Sequence, residues 1–426
     1  MHPTSEQLLA TVLFACAVVH TFCVKRFAKW AHNYPEGSIG ENLFHFLAET
    51  EVVFGLWATA LFVGIAVMNG SIAQAVKYID SLQDKYTEPK FVLVVMVVAA
   101  TRPVVNLAEV VILWFARLLP LKESVSFYLA ALSFGTLFGS FITEPAAMTL
   151  LALLLKRRYF DRNISRSLAY GTLGLLFVNI SIGGTLTHFA APPVLMVADT
   201  WDWNTAFMAK TFGWRAVASC LCSTLLMVGF FWKQLNAIAP DQHKPKYIPT
   251  WLTVLHLIFL GAVVRFAHHP DIFFGIFMIF LGMVTATREY QDSLKLREGL
   301  LVGFFLAGLV TLGKPQDWWL NPLISRLNET QLYFGTTALT AVTDNAALTF
   351  LGTQVDGMTP ELKYALVAGA VSGGGLTVIA NAPNPAGAGI LQSSQAFGEH
   401  GLSPVGLLLG AVPPTAVAIC FFWLIA

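Results

Sequence analysis

Charge is the scarcest commodity in this sequence. Only 12% of its 426 residues are Asp, Glu, Lys or Arg, against about 25% in an ordinary soluble domain. The formal net charge is +1, so the basic excess that a nucleic-acid footprint requires is missing and no nucleic-acid partner is expected. Cysteines number five (Cys16, Cys23, Cys220, Cys222 and Cys420), and each sits in an apolar block, where a thiol is a small buried hydrophobe. No CxxC pair and no HExxH run offers a metal centre or a protease site. No catalytic residue and no cofactor are therefore expected. The opening MHPTSEQ lacks a basic stretch, so the first apolar block reads as a retained helix, not a signal peptide.

Hydrophobic residues make up 56% of the chain. They come in blocks long enough to span a bilayer, which takes about 20 residues. Helices with one charged face, which a large soluble core would need, are scarce. The reading is an all-α polytopic membrane protein whose first partner is the lipid bilayer. Ordinary crossings are expected at 7–24, 47–69, 91–116, 211–232, 250–267, 271–287, 298–313 and 403–425. Trp201, Trp203, Trp318 and Trp319 fall near the expected interfaces and read as belt anchors.

Four further segments have awkward lengths. Segments 125–155 and 328–357 are too long for one upright crossing and too short for two. Segments 166–198 and 361–392 are also long, with Gly and Pro in the middle. Arg117 and Lys122 precede 125–155, and Lys156, Arg157, Arg158 and Arg162 follow it. By the positive-inside rule both flanks are cytoplasmic, which makes 125–155 a re-entrant hairpin. Segment 166–198 then crosses as a broken helix, 328–357 is a hairpin entering from outside, and 361–392 is a second broken crossing. Both termini come out external.

Internal repetition supports this trace. TEPAAMTLL at 143–151 returns as TDNAALTFL at 343–351, and Phe134-Gly135-Thr136 returns as Phe334-Gly335-Thr336. GGTLTHFAAPP at 183–193 returns as GGGLTVIANAP at 373–383. The expected architecture is an inverted five-plus-five repeat, the usual construction of secondary transporters. Repeat one spans 1–232, a cytoplasmic linker spans 233–249 and carries Lys244 and Lys246, and repeat two spans 250–426.

Such segments expose helix ends inside the membrane, where free carbonyls can hold a hard cation. Gly183, Gly184, Gly373 and Gly374 let backbone approach closely, and Pro192, Pro193, Pro383 and Pro385 stop the helices from re-forming. Into each break the sequence places one acid, Glu144 or Asp344. An ionisable group at that depth marks function. Burial favours its protonated form and a bound cation favours its charged form, so one carboxylate can hold either a proton or Na+. Thr143, Thr343, Thr185, Asn345, Asn381 and Asn384 supply neutral oxygens, with Asn179 a weaker candidate. Either acid could instead cap a hairpin helix, and Pro145 after Glu144 suits a first helical position.

The two hairpins and two broken helices resemble the ion transporter superfamily, which includes arsenite permeases, sodium/proton antiporters and divalent-anion/sodium symporters. GGTLTHFAAPPVLM is similar to the segment after the first hairpin in arsenite-permease-like antiporters, and TDNAALTF to their Asp-Asn second-hairpin motif. Length and layout resemble a bacterial family of sodium/proton antiporters about 430 residues long. The resemblance covers the whole chain in layout, and its specific motifs cover some 50 residues. It implies an elevator mechanism, a homodimer and a place in the bacterial inner membrane. The first tip reads Thr-Glu-Pro where antiporter relatives carry Asp-Asn, and neither tip carries the Ser-Asn-Thr of the dicarboxylate branch.

Other polar residues are weaker candidates. Glu49 and Glu51 open the second span, either as a solvated helix start or as a proton or cation access point. Arg102 lies within the third span and needs a partner, for which Glu109, Glu49 or Glu51 is within reach. His188 could relay protons or simply line the break. The expected function is exchange of Na+ for H+, with Asp344 the principal carboxylate and Glu144 the second. The alternative is a sodium- or proton-coupled carrier of a small anion or neutral solute, bound at the half-helix N-termini.

Overall fold

The computed structural model describes residues 3–162, 164–239, 241, 247–398 and 401–425. Six residues of the expected linker 233–249, Lys244 and Lys246 among them, lie outside the described residues. Helices account for all the regular structure among the described residues, with no strand.

In chain order the first helices are α1 (Ser5–Ala31), α2 (Ile39–Leu47), α3 (Thr50–Met68), α4 (Ile72–Asp80), α5 (Thr87–Ala99) and α6 (Arg102–Leu118). The next group is α7 (Glu123–Ala130), α8 (Gly139–Ile142), α9 (Glu144–Leu155), α10 (Arg166–Gly183), α11 (Pro192–Ala198), α12 (Thr205–Met208), α13 (Trp214–Phe230) and α14 (Trp232–Ala237). The second half holds α15 (Thr250–Arg265), α16 (Pro270–Ala286), α17 (Leu296–Gly313), α18 (Asp317–Ile324), α19 (Glu329–Thr340), α20 (Asn345–Gly352), α21 (Pro360–Gly373), α22 (Asn384–Gln392) and α23 (Pro404–Ile419).

Local chemistry sets the helix starts. Thr4 and Gln7 form a reciprocal capping box at α1, and Asn328 and Gln331 form another at α19. Ser165, Thr359 and Ser403 cap α10, α21 and α23 through their hydroxyls. Among the described residues, six helical stretches are long and apolar enough to cross a membrane, and α15 and α16 are shorter apolar helices.

One expected span is different in kind. The run 91–116 is not straight, because α5 and α6 meet at 67° across Ala100 and Thr101. Pro103, in the first turn of α6, cannot continue the helix of α5. Trp203, expected at the interface, is a core residue packed against Phe207 and Phe212.

The segment 125–155 folds back on itself. Its first arm runs from α7 through a π-helical turn to α8, and its second arm is α9. The two ends meet. Arg158 pairs with Glu123 at 3.3 Å and lies 4.0 Å over the Phe127 ring, and the Tyr159 hydroxyl donates to the Ser124 carbonyl. The segment 328–357 does the same with α19 and α20, where Leu332, Leu351 and Met358 share one apolar cluster. The segments 166–198 and 361–392 are each two helices, α10 with α11 and α21 with α22, separated in the first by a 3-10 turn at Gly184–Leu186 and irregular chain and in the second by irregular chain. The packing is reciprocal: α9 lies on α22 and α20 lies on α11.

Two crossings are unusually close. A side chain at Gly174 of α10 would enter the Gly410–Ala411 backbone of α23. One at Gly308 of α17 would enter the Phe54–Gly55 backbone of α3. Only glycine permits main chains to lie that near each other.

Candidate functional site

The two fold-back segments break at the duplicated acids. In the first, Thr143 adopts φ 71° and ψ 150°, a region that a β-branched residue enters only under strain. This conformation turns the chain between α8 and α9 and delivers Glu144 into the interior, where it is fully buried. In the second, Asp344 is the N-cap of α20 and accepts from the backbone N–H of Ala346 at 2.8 Å and of Ala347 at 3.4 Å. The capping alternative therefore applies to Asp344 and not to Glu144, whose helix has no side-chain cap.

Each tip meets a broken helix at a glycine. A Cβ on Gly184 would sit 2.7 Å from Glu144 Cγ and 2.9 Å from its Cδ. A Cβ on Gly374 would collide with the Ser181 hydroxyl and lie 2.9 Å from Asn345 Nδ2. The preceding glycines serve a different purpose. A Cβ on Gly183 would sit 2.8 Å from the Thr136 carbonyl oxygen, and one on Gly373 would sit 2.5 Å from the Thr337 carbonyl oxygen, so both glycines admit the first arm of a hairpin.

The tips and breaks hold each other through few bonds. Asn381 Nδ2 donates to Glu144 Oε2 at 2.9 Å. Asn384 Nδ2 donates to the carbonyls of Gly374 and Thr377 at 2.8 and 2.9 Å. The Asn345 backbone N–H donates to the Ala380 carbonyl at 3.1 Å. This leaves Thr143 Oγ1, Glu144 Oε1, Asn345 Oδ1, Asn381 Oδ1 and Asn384 Oδ1 buried without a hydrogen-bond partner. Buried polar atoms are ordinarily satisfied. Five unsatisfied oxygens on two tips and one break form a donor set of carboxylate, amide and hydroxyl oxygens. Hard cations take such donors.

Two cavities reach this region. A small one of about 40 Å³ lies between the start of α3 and the second tip, lined by Thr50, Glu51, Thr343, Asp344, Asn381 and Pro385 among others. One water needs roughly 10–15 Å³ by the same measure, so this space takes a few waters or a partly hydrated ion. A vestibule of about 870 Å³ extends from Thr143, Pro145 and Ala382 out to Glu49, Arg102, Arg157 and Arg297.

Several sequence expectations change. Arg102 pairs with Asp292 from the loop before α17, not with Glu109, Glu49 or Glu51. Both residues line the vestibule, so the partner comes from another part of the chain and not from Arg102's own helix. Glu109 pairs instead with Arg157 at 3.2 Å, and Arg157 also reaches Asp241 at 2.8 Å. Glu49 pairs with Arg297. His188 accepts from or donates to Thr205 at 2.7 Å and lines a separate cavity of about 310 Å³ with Glu88, Asp199 and His268. That cavity includes neither tip. The Thr185 hydroxyl donates to the Ile182 carbonyl of its own helix at 2.7 Å. Asn179 is a strut, with Nδ2 donating to the Leu132 carbonyl at 2.8 Å and to Thr224 at 3.2 Å.

Two residues escaped the sequence reading. Ser181 places its hydroxyl beside Asn345 and Gly374. Ser140 donates to the Gly183 carbonyl and accepts from the Leu186 N–H, tying the first tip to the first break. Nothing distinguishes either serine in sequence from the other hydroxyls of apolar helices.

A family model described as "Putative Na+/H+ antiporter" matches residues 5–425. No curated protein matches the chain.

Proposed function

The chain belongs to this family of Na+/H+ antiporters, and from that premise we propose that it exchanges Na+ for H+ at Glu144 and Asp344. It is a transporter and not an enzyme. The observation that carries the site assignment is the set of five unsatisfied buried oxygens at the tips and the second break. A cation entering there gains ligands without displacing an existing hydrogen bond. A proton on either carboxylate removes the charge that holds the cation, so binding is competitive. Competition at one site is the minimum requirement for coupled exchange.

The reciprocal packing of α9 on α22 and α20 on α11 supports an inverted repeat with hairpins dipping from opposite leaflets. Within it, the hairpins, broken helices, α13 and α23 form a moving body that slides past the remaining helices as an elevator. The vestibule, ringed by Arg102, Arg157, Lys295 and Arg297, opens on the cytoplasmic side, with the termini external. The resemblance to the ion transporter superfamily supports this mechanism, a homodimer, and a bacterial inner-membrane location.

Proteoliposomes with an internal pH dye test the proposal. Addition of Na+ moves protons in the wild type; Asp344→Asn abolishes the movement and Glu144→Gln weakens it. Exchange by Asp344→Asn at the wild-type rate would refute Asp344 as carrier. Uptake of a labelled small anion without Na+/H+ exchange would refute the function itself.

A further inference from the structure

The vestibule and the small inner cavity are lined by overlapping residues, namely Glu51, Ala382 and Pro385. Of these, only Glu51 can ionise. It sits in the first turn of α3, half-buried, with the Thr50 hydroxyl donating to Oε2 at 3.0 Å. The charged groups acting on it are Glu49 on its own helix, Arg297 on α17 and Asp344 on the second tip. Glu49 and Arg297 are engaged with each other. Glu51 has no cationic partner at ion-pair distance among the described residues, in contrast to Glu49, Glu109, Asp292 and Glu298, the other acids of the vestibule.

We propose that Glu51 is a third working carboxylate, a proton relay between Asp344 and the vestibule. The inference rests on the exchange reading above. When Na+ arrives at Asp344, the proton leaving that carboxylate crosses water in the small cavity to Glu51. Glu51 then gives it to vestibule water and returns to its anionic form, so the residue ends each cycle unchanged. Glu51 lies on α3, outside the proposed moving body, so it serves Asp344 only while the second tip faces the vestibule. Sequence repetition has no bearing on it, because Glu51 lies outside both duplicated motifs.

Turnover and Na+ half-saturation of Na+-driven proton release are measured in proteoliposomes for wild type, Glu51→Gln, Glu51→Asp, Asp344→Asn and Glu298→Gln. Loss of a proton-transfer group slows turnover by roughly tenfold or more, so Glu51→Gln falls by that amount with Na+ half-saturation unchanged. Glu51→Asp, which keeps an ionisable group, recovers most of the rate, and the pH profile of Glu51→Gln loses one ionisation. Glu298→Gln, which alters a vestibule acid paired with Lys295, behaves as wild type. Wild-type turnover in Glu51→Gln, or Glu51→Asp as slow as Glu51→Gln, overturns the relay. If Asp344→Asn is inactive in the same series, the exchange reading survives that failure. A wild type without Na+-coupled proton movement overturns both.

Discussion

Replacing Gly184 with alanine probes the first tip while leaving every candidate ligand side chain chemically unchanged. The new methyl would lie 2.7 Å from Glu144 Cγ and 2.9 Å from Cδ, inside any permitted contact, and closer still to Oε1. Backbone relief is poor, because the adjacent Gly183 packs against the first arm so closely that even a Cβ there would sit 2.8 Å from the Thr136 carbonyl oxygen. Glu144 must therefore turn away and give up the 2.9 Å bond from Asn381. The cation then loses Glu144 as a charged ligand, taken as about 1.5–3 kcal/mol, the scale of a hydrogen bond to a charged group. At 1.4 kcal/mol per factor of ten, Na+ affinity falls roughly 10- to 150-fold. Binding of radioactive Na+ to purified protein by scintillation proximity reads this directly. Gly335→Ala is the control, since a methyl there meets nothing within 4 Å. Unchanged Na+ affinity in a folded Gly184→Ala protein would refute the placement of Glu144 in the ion site.

Other expectations are independent of this one. Thr143→Gly relieves the left-handed strain at the first tip and stabilises the protein by about 1–3 kcal/mol, seen as a higher melting temperature in detergent, while removing one candidate oxygen. Arg158→Ala removes a nearly buried guanidinium that pairs with Glu123 and covers the Phe127 ring; it costs about 1–3 kcal/mol, measured as a lower denaturation midpoint. Arg297→Gln breaks an exposed pair with Glu49 and changes the same midpoint by less than about 1 kcal/mol. Gly174→Val drives a side chain into the α23 backbone, and its expected readout is loss of monodisperse protein on size exclusion.

The parts of the fold visible in sequence were those set by local rules. The apolar blocks, the glycine and proline interruptions and the paired acids all follow from residue type and spacing. The bend at Ala100–Thr101 was missed because hydropathy averages over a window, although Thr-Arg-Pro at 101–103 is a helix-start pattern. Partners of the vestibule charges were not legible. Arg102 with Asp292 and Arg157 with Glu109 join residues far apart in the chain, and no spacing rule connects them. The division of labour between neighbouring glycines, Gly183 for packing and Gly184 for the acid, also depends on a three-dimensional approach that sequence does not carry. The difference between Glu144 and Asp344 runs against the sequence cue: Pro145 favours capping at the first tip, yet Asp344 caps its helix and Glu144 does not.

The two glycine-lined crossings have a mechanical consequence. Where main chains touch without intervening side chains, there is no soft layer to shear, so α10 with α23 and α3 with α17 behave as two welded girders. Whatever rearrangement carries an ion across must be taken up between those girders. Spin labels placed within either pair would hold one separation throughout the cycle, and labels placed on different pairs would not.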